Sequence, residues 1–184
     1  MLLLLLTGEM VYPSTPEDSE KPDNYMLKEV TITGSTNINH FQLSYSENHF
    51  SAIQENGQPQ NKFSVNIPAR KIGAGSKAML NDFLKMINAY KYPDIKITLD
   101  EDISKEMDAT AAADHQIGLT LNGKTNTYIC HSTSTEYNQD QWCLVGRLQF
   151  KLSDFGIDPP KKIFGIVKVE DAVFINFKIV FTND

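Results

Sequence analysis

Apolar and polar residues alternate with a period of two along most of this chain. Val30 and Ile32 alternate with Thr31 and Thr33, and Phe41, Leu43 and Tyr45 with Gln42, Ser44 and Ser46. The same pattern returns at Phe63/Val65/Ile67, Ile95/Ile97/Leu99, Ile117/Leu119/Leu121, Trp142/Leu144/Leu148/Phe150 and Val173/Ile175/Phe177/Ile179/Phe181. Neighbouring side chains on a strand point to opposite faces, so each segment predicts a strand with one dry and one wet side. Turn residues such as Asn122–Gly123 separate the segments, which favours antiparallel pairing. The dry side needs cover, either from a second sheet or from the sheet closing on itself.

One segment departs from this period. In Ser76–Tyr90, Leu80, Phe83, Leu84 and Ile87 fall at helical spacing, with Asn81, Asp82, Lys85 and Asn88 between them. Ser76 is placed to cap the N-terminus and Pro93 lies just past the end. The spacing predicts one amphipathic helix over 76–90, lying on the sheet or plugging a barrel mouth. The stretch Asp100–His115 is acidic, then alanine-rich, and reads as a loop or short helix.

At 184 residues the chain is one domain by length, with enough apolar residues for a core. Its net charge of −6 argues against nucleic acid or an anionic membrane surface as partner, since both recruit dense basic patches. Leu2–Leu6 resembles part of a secretory leader, although it is too short to cross a bilayer. Val11–Asn24 carries Pro, Ser and acids and reads as a linker. The expected organisation is a partial signal and linker over 1–24 and a folded domain over 25–184, in an exported protein. Nothing predicts an integral membrane protein.

Motifs for catalysis are hard to find. The four histidines, His40, His49, His115 and His131, form no His-Glu-x-x-His run. The acids between Asp100 and Asp108 lack the spacing of a calcium loop. There is no Gly-x-Ser-x-Gly elbow and no phosphate-binding loop; Ile72–Ser76, "IGAGS", reads as a flexible helix entry. No catalytic residue, metal site or cofactor is expected, and the chain reads as a non-enzyme. Cys130 and Cys143 are equidistant from the middle of the polar segment "STSTEYNQDQ". If that segment were a symmetric hairpin connection, the two would face each other, which makes them candidates for a disulfide.

Several stretches together carry a resemblance: "TGSTNINHFQLSY" (33–45), "FSVNIPARKI" and "AYKYPDIKITL" around the helix (63–99), "GLTLNGKTNTYI" (118–129) and "GRLQFKLSDFGIDPPKKIFGIVKVEDAVFINFKIVF" (146–181). In this order they resemble the YceI-like family of lipocalin-like, polyisoprenoid-binding proteins of the bacterial envelope. The chain has "GSTNINHF" where many members open with Asp-x-x-His-Ser. The resemblance implies an all-β fold, an antiparallel lipocalin-like barrel of about eight strands with the helix near its mouth. Asp154–Lys162 would then turn the chain at the rim, and Ile163–Phe181 would close the wall. It also implies an apolar interior holding a long-chain isoprenoid or other lipid, quinone-like or polyprenyl. The candidate ligand-binding residues are Phe41, Leu43, Val65, Phe83, Leu84, Ile97, Leu99, Leu119, Trp142, Leu144, Phe150, Val167, Ile175, Phe177 and Ile179. Besides the ligand, a homodimer is the association considered. Two other readings stay open: an envelope interaction module whose barrel is filled by its own side chains, and an enzyme whose residues assemble only in space.

Overall fold

In the computed structural model each alternating segment is a strand. The structure describes residues 22–53, 63–99, 112–138, 141–159, 161–162 and 167–183. The leucine run, nearly all of the linker and the acidic segment 100–111 lie outside the described residues. Eight strands are six residues or longer: β1 (Asn24–Thr36), β2 (His40–Tyr45), β4 (Phe63–Pro68), β6 (Asp94–Leu99), β7 (Ala112–Leu121), β8 (Lys124–Asn138), β9 (Gln141–Lys151) and β11 (Val167–Thr182). Three two-residue ladders join them: β3 (Ser51–Ala52), β5 (Gly73–Ala74) and β10 (Lys161–Lys162). Residues 112–115, expected in a loop, are the start of β7.

These strands form one antiparallel, curled sheet in the order β4-β6-β7-β8-β9-β11-β1-β2-β5, with β3 beside β1 and β10 beside β11. The two edges are halves of one bent segment. Phe63–Pro68 pairs with β6, a 3₁₀ turn at Ala69–Lys71 redirects the chain, and Gly73–Ala74 pairs with β2. The sheet is therefore drawn into a barrel by the covalent chain as much as by ladder bonds. Buried Ala69 and Ile72 hold the bend inward.

The helix α1 (Lys77–Met86) follows directly. Ser76 Oγ accepts the Met79 N–H at 3.1 Å, as the sequence predicts. The helix stops at Met86 because Asn88 takes a left-handed conformation (φ 55°). Its N–H donates to the Lys85 carbonyl and the Ala89 N–H donates to Leu84, a Schellman closure with Asn in the usual glycine position. The expected extension to Tyr90 is thus a turn.

β8 is the strand with the weakest alternation in sequence. Cys130, Ser132 and Ser134 are buried on one face while His131, Thr133 and Thr135 are exposed on the other. Both faces are polar or nearly so, and the period does not show as apolar against polar. At its start, Asn122 and Gly123 both have positive φ (51° and 72°), the pairing a tight two-residue hairpin requires.

After β9 the chain turns through a 3₁₀ segment, Leu152–Phe155, and Gly156 adopts φ 66° to leave it. Leu152, Phe155 and Ile157 are buried. Phe155 packs its ring against Phe150 and Tyr128, with centroids 5.6 and 6.1 Å away. Outside these rings the bend is pinned by polar contacts: Ser153 N and Oγ donate to Asp171 at 2.8 and 2.6 Å, and Tyr128 Oη donates to Asp154 at 2.8 Å. The rim turn is therefore a wedge, with apolar residues driven inward and acids tied outside.

Two outcomes test this wedge. Phe155→Ala is expected to lower unfolding stability by about 3–5 kcal/mol, read from urea denaturation. The hydrogen bonds from Ser153 hold the Asp171 carboxyl below its ordinary range. A depressed carboxyl stabilises the fold above its unfolded-state pKa and loses that contribution as pH falls through the folded value. Asp171→Asn should therefore cost stability at pH 7, with the gap to the parent protein narrowing in acid. A gap independent of pH would contradict the role given to the charge.

Candidate ligand cavity in the barrel

The inward faces line up in rows of cross-strand partners. One row runs Tyr45, Val30, Phe177, Gly146, Ser132 and Ala113. Another runs Leu43, Ile32, Ile175 and Leu148. Because all these residues share the period-2 face, the interior is built almost entirely from aliphatic and aromatic side chains.

A cavity lies beneath α1. It is lined by Ile32, Phe41, Leu43, Phe83, Met86, Ile87, Ile95, Leu119, Leu121, Phe150, Leu152, Val173 and Ile175, all of them apolar. Its free volume is only about 20 Å³. Pockets that enclose small molecules run to roughly 300–1,000 Å³. The interior as it stands is close to filled.

Phe41, Leu43, Phe83, Leu119, Phe150 and Ile175 of the expected lining surround this cavity. Val65, Ile97 and Leu99 lie in the core, on β4 and β6. Leu144, Phe177 and Ile179 also face inward, in the half of the barrel away from α1, and Leu84 is part-buried against the core. Trp142 is part-buried opposite Phe181, and Val167 is part-buried at the start of β11 opposite Lys162. Ile32, Ile95, Leu121 and Val173 were missed although each continues the alternation of its strand. Met86 and Ile87 follow Phe83 by three and four residues on the helix. Leu152 stands just past a strand end, where no period marks it.

Two aromatic rings rest on glycines. Phe41 is the cross-strand partner of Gly34 and Phe177 of Gly146. A Cβ at Gly34 would lie 2.3 Å from the Phe41 ring, and one at Gly146 would lie 2.2 Å from that of Phe177. The missing side chains let both rings lie against the wall.

Polar groups in the interior are few. Among the described residues, His115, Ser132 and Ser134 are buried, on adjacent strands β7 and β8. At the barrel end away from α1, Tyr45 Oη donates to Glu47 Oε1 at 2.8 Å, and Glu47 Oε2 is enclosed without a hydrogen-bond partner. Burial, and then the bond to Glu47, pushes the Tyr45 hydroxyl pKa well up, so the phenol keeps its proton.

The disulfide expectation is corrected by the register. β8 continues through Asn138, so "STSTE" is strand and not connection. Thr135 faces Cys143 and His131 faces Arg147. Cys130 and Cys143 therefore lie at different levels and on opposite faces, and both are free thiols. Burial pushes the Cys130 thiol up to about 11.

Comparison with known proteins places this geometry. The family model of the YceI-like domain matches residues 23–181. The fold is similar to that of a polyisoprenoid binding domain from Saccharophagus degradans implicated in plant cell wall breakdown, with TM-score 0.70 and 10% identity, covering 89% of this chain and 99% of that one. It is also similar to BcnA of Burkholderia cenocepacia, with TM-score 0.57 and 16% identity, covering 82% and 95%. No curated protein matches the sequence.

The cysteine geometry makes a simple prediction. Native protein should react slowly with a thiol reagent at pH 8, and denatured, unreduced protein should show both thiols. A mass gain on reduction of native protein would restore the disulfide.

Proposed function

From the premise that this chain belongs to the YceI-like family, we propose that it binds one long apolar chain, an isoprenoid or similar lipid, inside its barrel. It carries out no catalytic step on that chain. The observation that carries the reading is a cavity whose described lining residues are all apolar, with Phe83 and Met86 of α1 among them. The polyisoprenoid-binding relative supports it through its shared fold. Each methylene moved from water into such a lining contributes about 0.8 kcal/mol, so a chain of many units can bind tightly without a charged contact.

On this reading the small free volume belongs to a ligand-free, closed form. A chain enters by displacing side chains, and the lining is suited to that. Met86 has an unbranched side chain, the Phe41 ring lies on Gly34, and α1 is joined to the wall through Gly73–Gly75. The leucine run at the N-terminus supports an exported, periplasmic site of action, where a carrier would shield such a chain from water.

The same small volume favours a second reading, an interaction module with a filled barrel and no ligand. Organic extraction of protein purified from an envelope fraction separates the two. A co-purified chain lipid is expected under the first reading and none under the second. Phe83→Ala should enlarge the cavity and raise uptake of a fluorescent polyprenyl probe severalfold, while Val173→Trp should suppress it. A parent protein without lipid, together with a Phe83→Ala variant that takes up no probe, would leave the filled barrel as the function-bearing form.

A further inference from the structure

We propose that the helix end of the barrel is a docking face for an anionic membrane surface, with Tyr90 and Ile38 as apolar prongs set beside exposed basic residues. The chain as a whole is acidic, and its overall charge argues the other way. The fold gathers the exception at one end.

The charge follows from the way the barrel is closed. The Ala69 N–H donates to the Pro93 carbonyl at 2.9 Å, so the segment 69–93, with α1 in its middle, is fastened together at both ends. It carries five basic residues, Arg70, Lys71, Lys77, Lys85 and Lys91, and one acid, Asp82. All five basic residues are exposed, whereas Asp82 is part-buried. Along the sequence Arg70–Lys71 is an isolated pair; the bend after it, the helix and the turn at Asn88 bring the other three to the same end. Exposed Asp94 follows, where β6 begins. The rim around the wedge is of mixed charge, with Asp154, Asp158 and Asp171 alongside Lys124 and Lys151, so the positive face centres on α1.

The apolar component sits at the same end. Tyr90 is 79% exposed and Ile38 69%, the two most exposed of the large hydrophobic side chains among the described residues. Before it leads into α1, β5 runs from Ser44 to Leu43, towards the β1–β2 turn, which places Ile38 in that turn at the helix end. Asn37 fixes the turn: its N–H donates to the Lys168 carbonyl at 3.0 Å and its Oδ1 accepts the Lys168 N–H at 2.8 Å. The Arg70 guanidinium stands 4.8 Å from the centroid of the Tyr90 ring, and Lys91 Nζ 5.2 Å from that of Tyr92. A ring with a polar tip beside a cation matches the boundary between headgroups and acyl chains. Basic side chains near an anionic leaflet are each drawn to its lipids. The two prongs stand on separate elements, an arrangement that suits a fluid surface, which needs no fitted shape. Docked this way, the barrel turns α1 and the cavity beneath it towards the bilayer.

The test is co-sedimentation with phosphatidylglycerol–phosphatidylcholine vesicles, set against vesicles of phosphatidylcholine alone and against polyglutamate in solution. The vesicles hold no polyprenyl chain, so the result does not depend on what the barrel binds. The parent protein should bind the anionic vesicles at low salt, leave them as salt rises, and bind the neutral ones about tenfold more weakly or less. Lys77→Gln/Lys85→Gln should weaken anionic-vesicle binding about 25-fold, near fivefold for each lysine. Ile38→Ser/Tyr90→Ser should weaken it severalfold at unchanged charge. Lys28→Gln/Arg147→Gln removes the same charge from exposed positions on the wall away from this end, and should leave binding within about twofold of the parent. Failure to bind anionic vesicles, equal binding of neutral ones, equal loss in the two charge variants, or an unchanged Ile38→Ser/Tyr90→Ser variant overturns the proposal. Binding to polyglutamate but not to vesicles also overturns it, and gives the face to an acidic protein instead.

Discussion

The structure depends on one covalent constraint: the two free edges of the sheet belong to the same twelve-residue segment, Phe63 to Ala74. A sheet whose edges are tied within so short a span must curl, and a curled sheet of alternating strands collects its apolar faces on the inside. The bend at Ala69–Ile72 then delivers the chain straight into α1, so the helix covers the barrel end nearest the closure. The position of the cavity is a consequence of where the barrel is fastened.

The interior that results combines near-complete filling with an all-apolar lining beneath the helix. Those properties are compatible in a binder if its occupied state replaces side-chain contacts by ligand contacts of similar chemistry. The cost of opening is then set by the few groups that must move, chiefly the α1 side chains and the ring of Phe41. The wedge at Leu152–Ile157 works in the opposite sense. Its buried rings and its pinned acids fasten the neighbouring part of the rim to β8, β9 and β11.

Much of this could be read from sequence because a strand with one wet face writes its period into the residues. Every segment with clear alternation became a strand, and Ser76 marked the helix start. β8 was obscure for a physical reason: its inward face carries Cys130, Ser132 and Ser134, so buried and exposed sides look alike in composition. That gap displaced the hairpin centre and with it the cysteine pairing, since an odd shift in register sends two residues to opposite faces. The helix end was overrun because Asn88 performs a task usually given to glycine. Within the cavity, period identified which residues point inward but not which level of the barrel they occupy. Level is decided by register, a long-range property that no single segment contains.

The rings of Phe41 and Phe177 lying over Gly34 and Gly146 have a wider consequence. They make the calibre of the tube a matter of torsion angles in two side chains, while the ladders that carry the strands' mutual attachment are left untouched. Substituting either ring would alter the girth of guest that fits without unpicking the backbone framework.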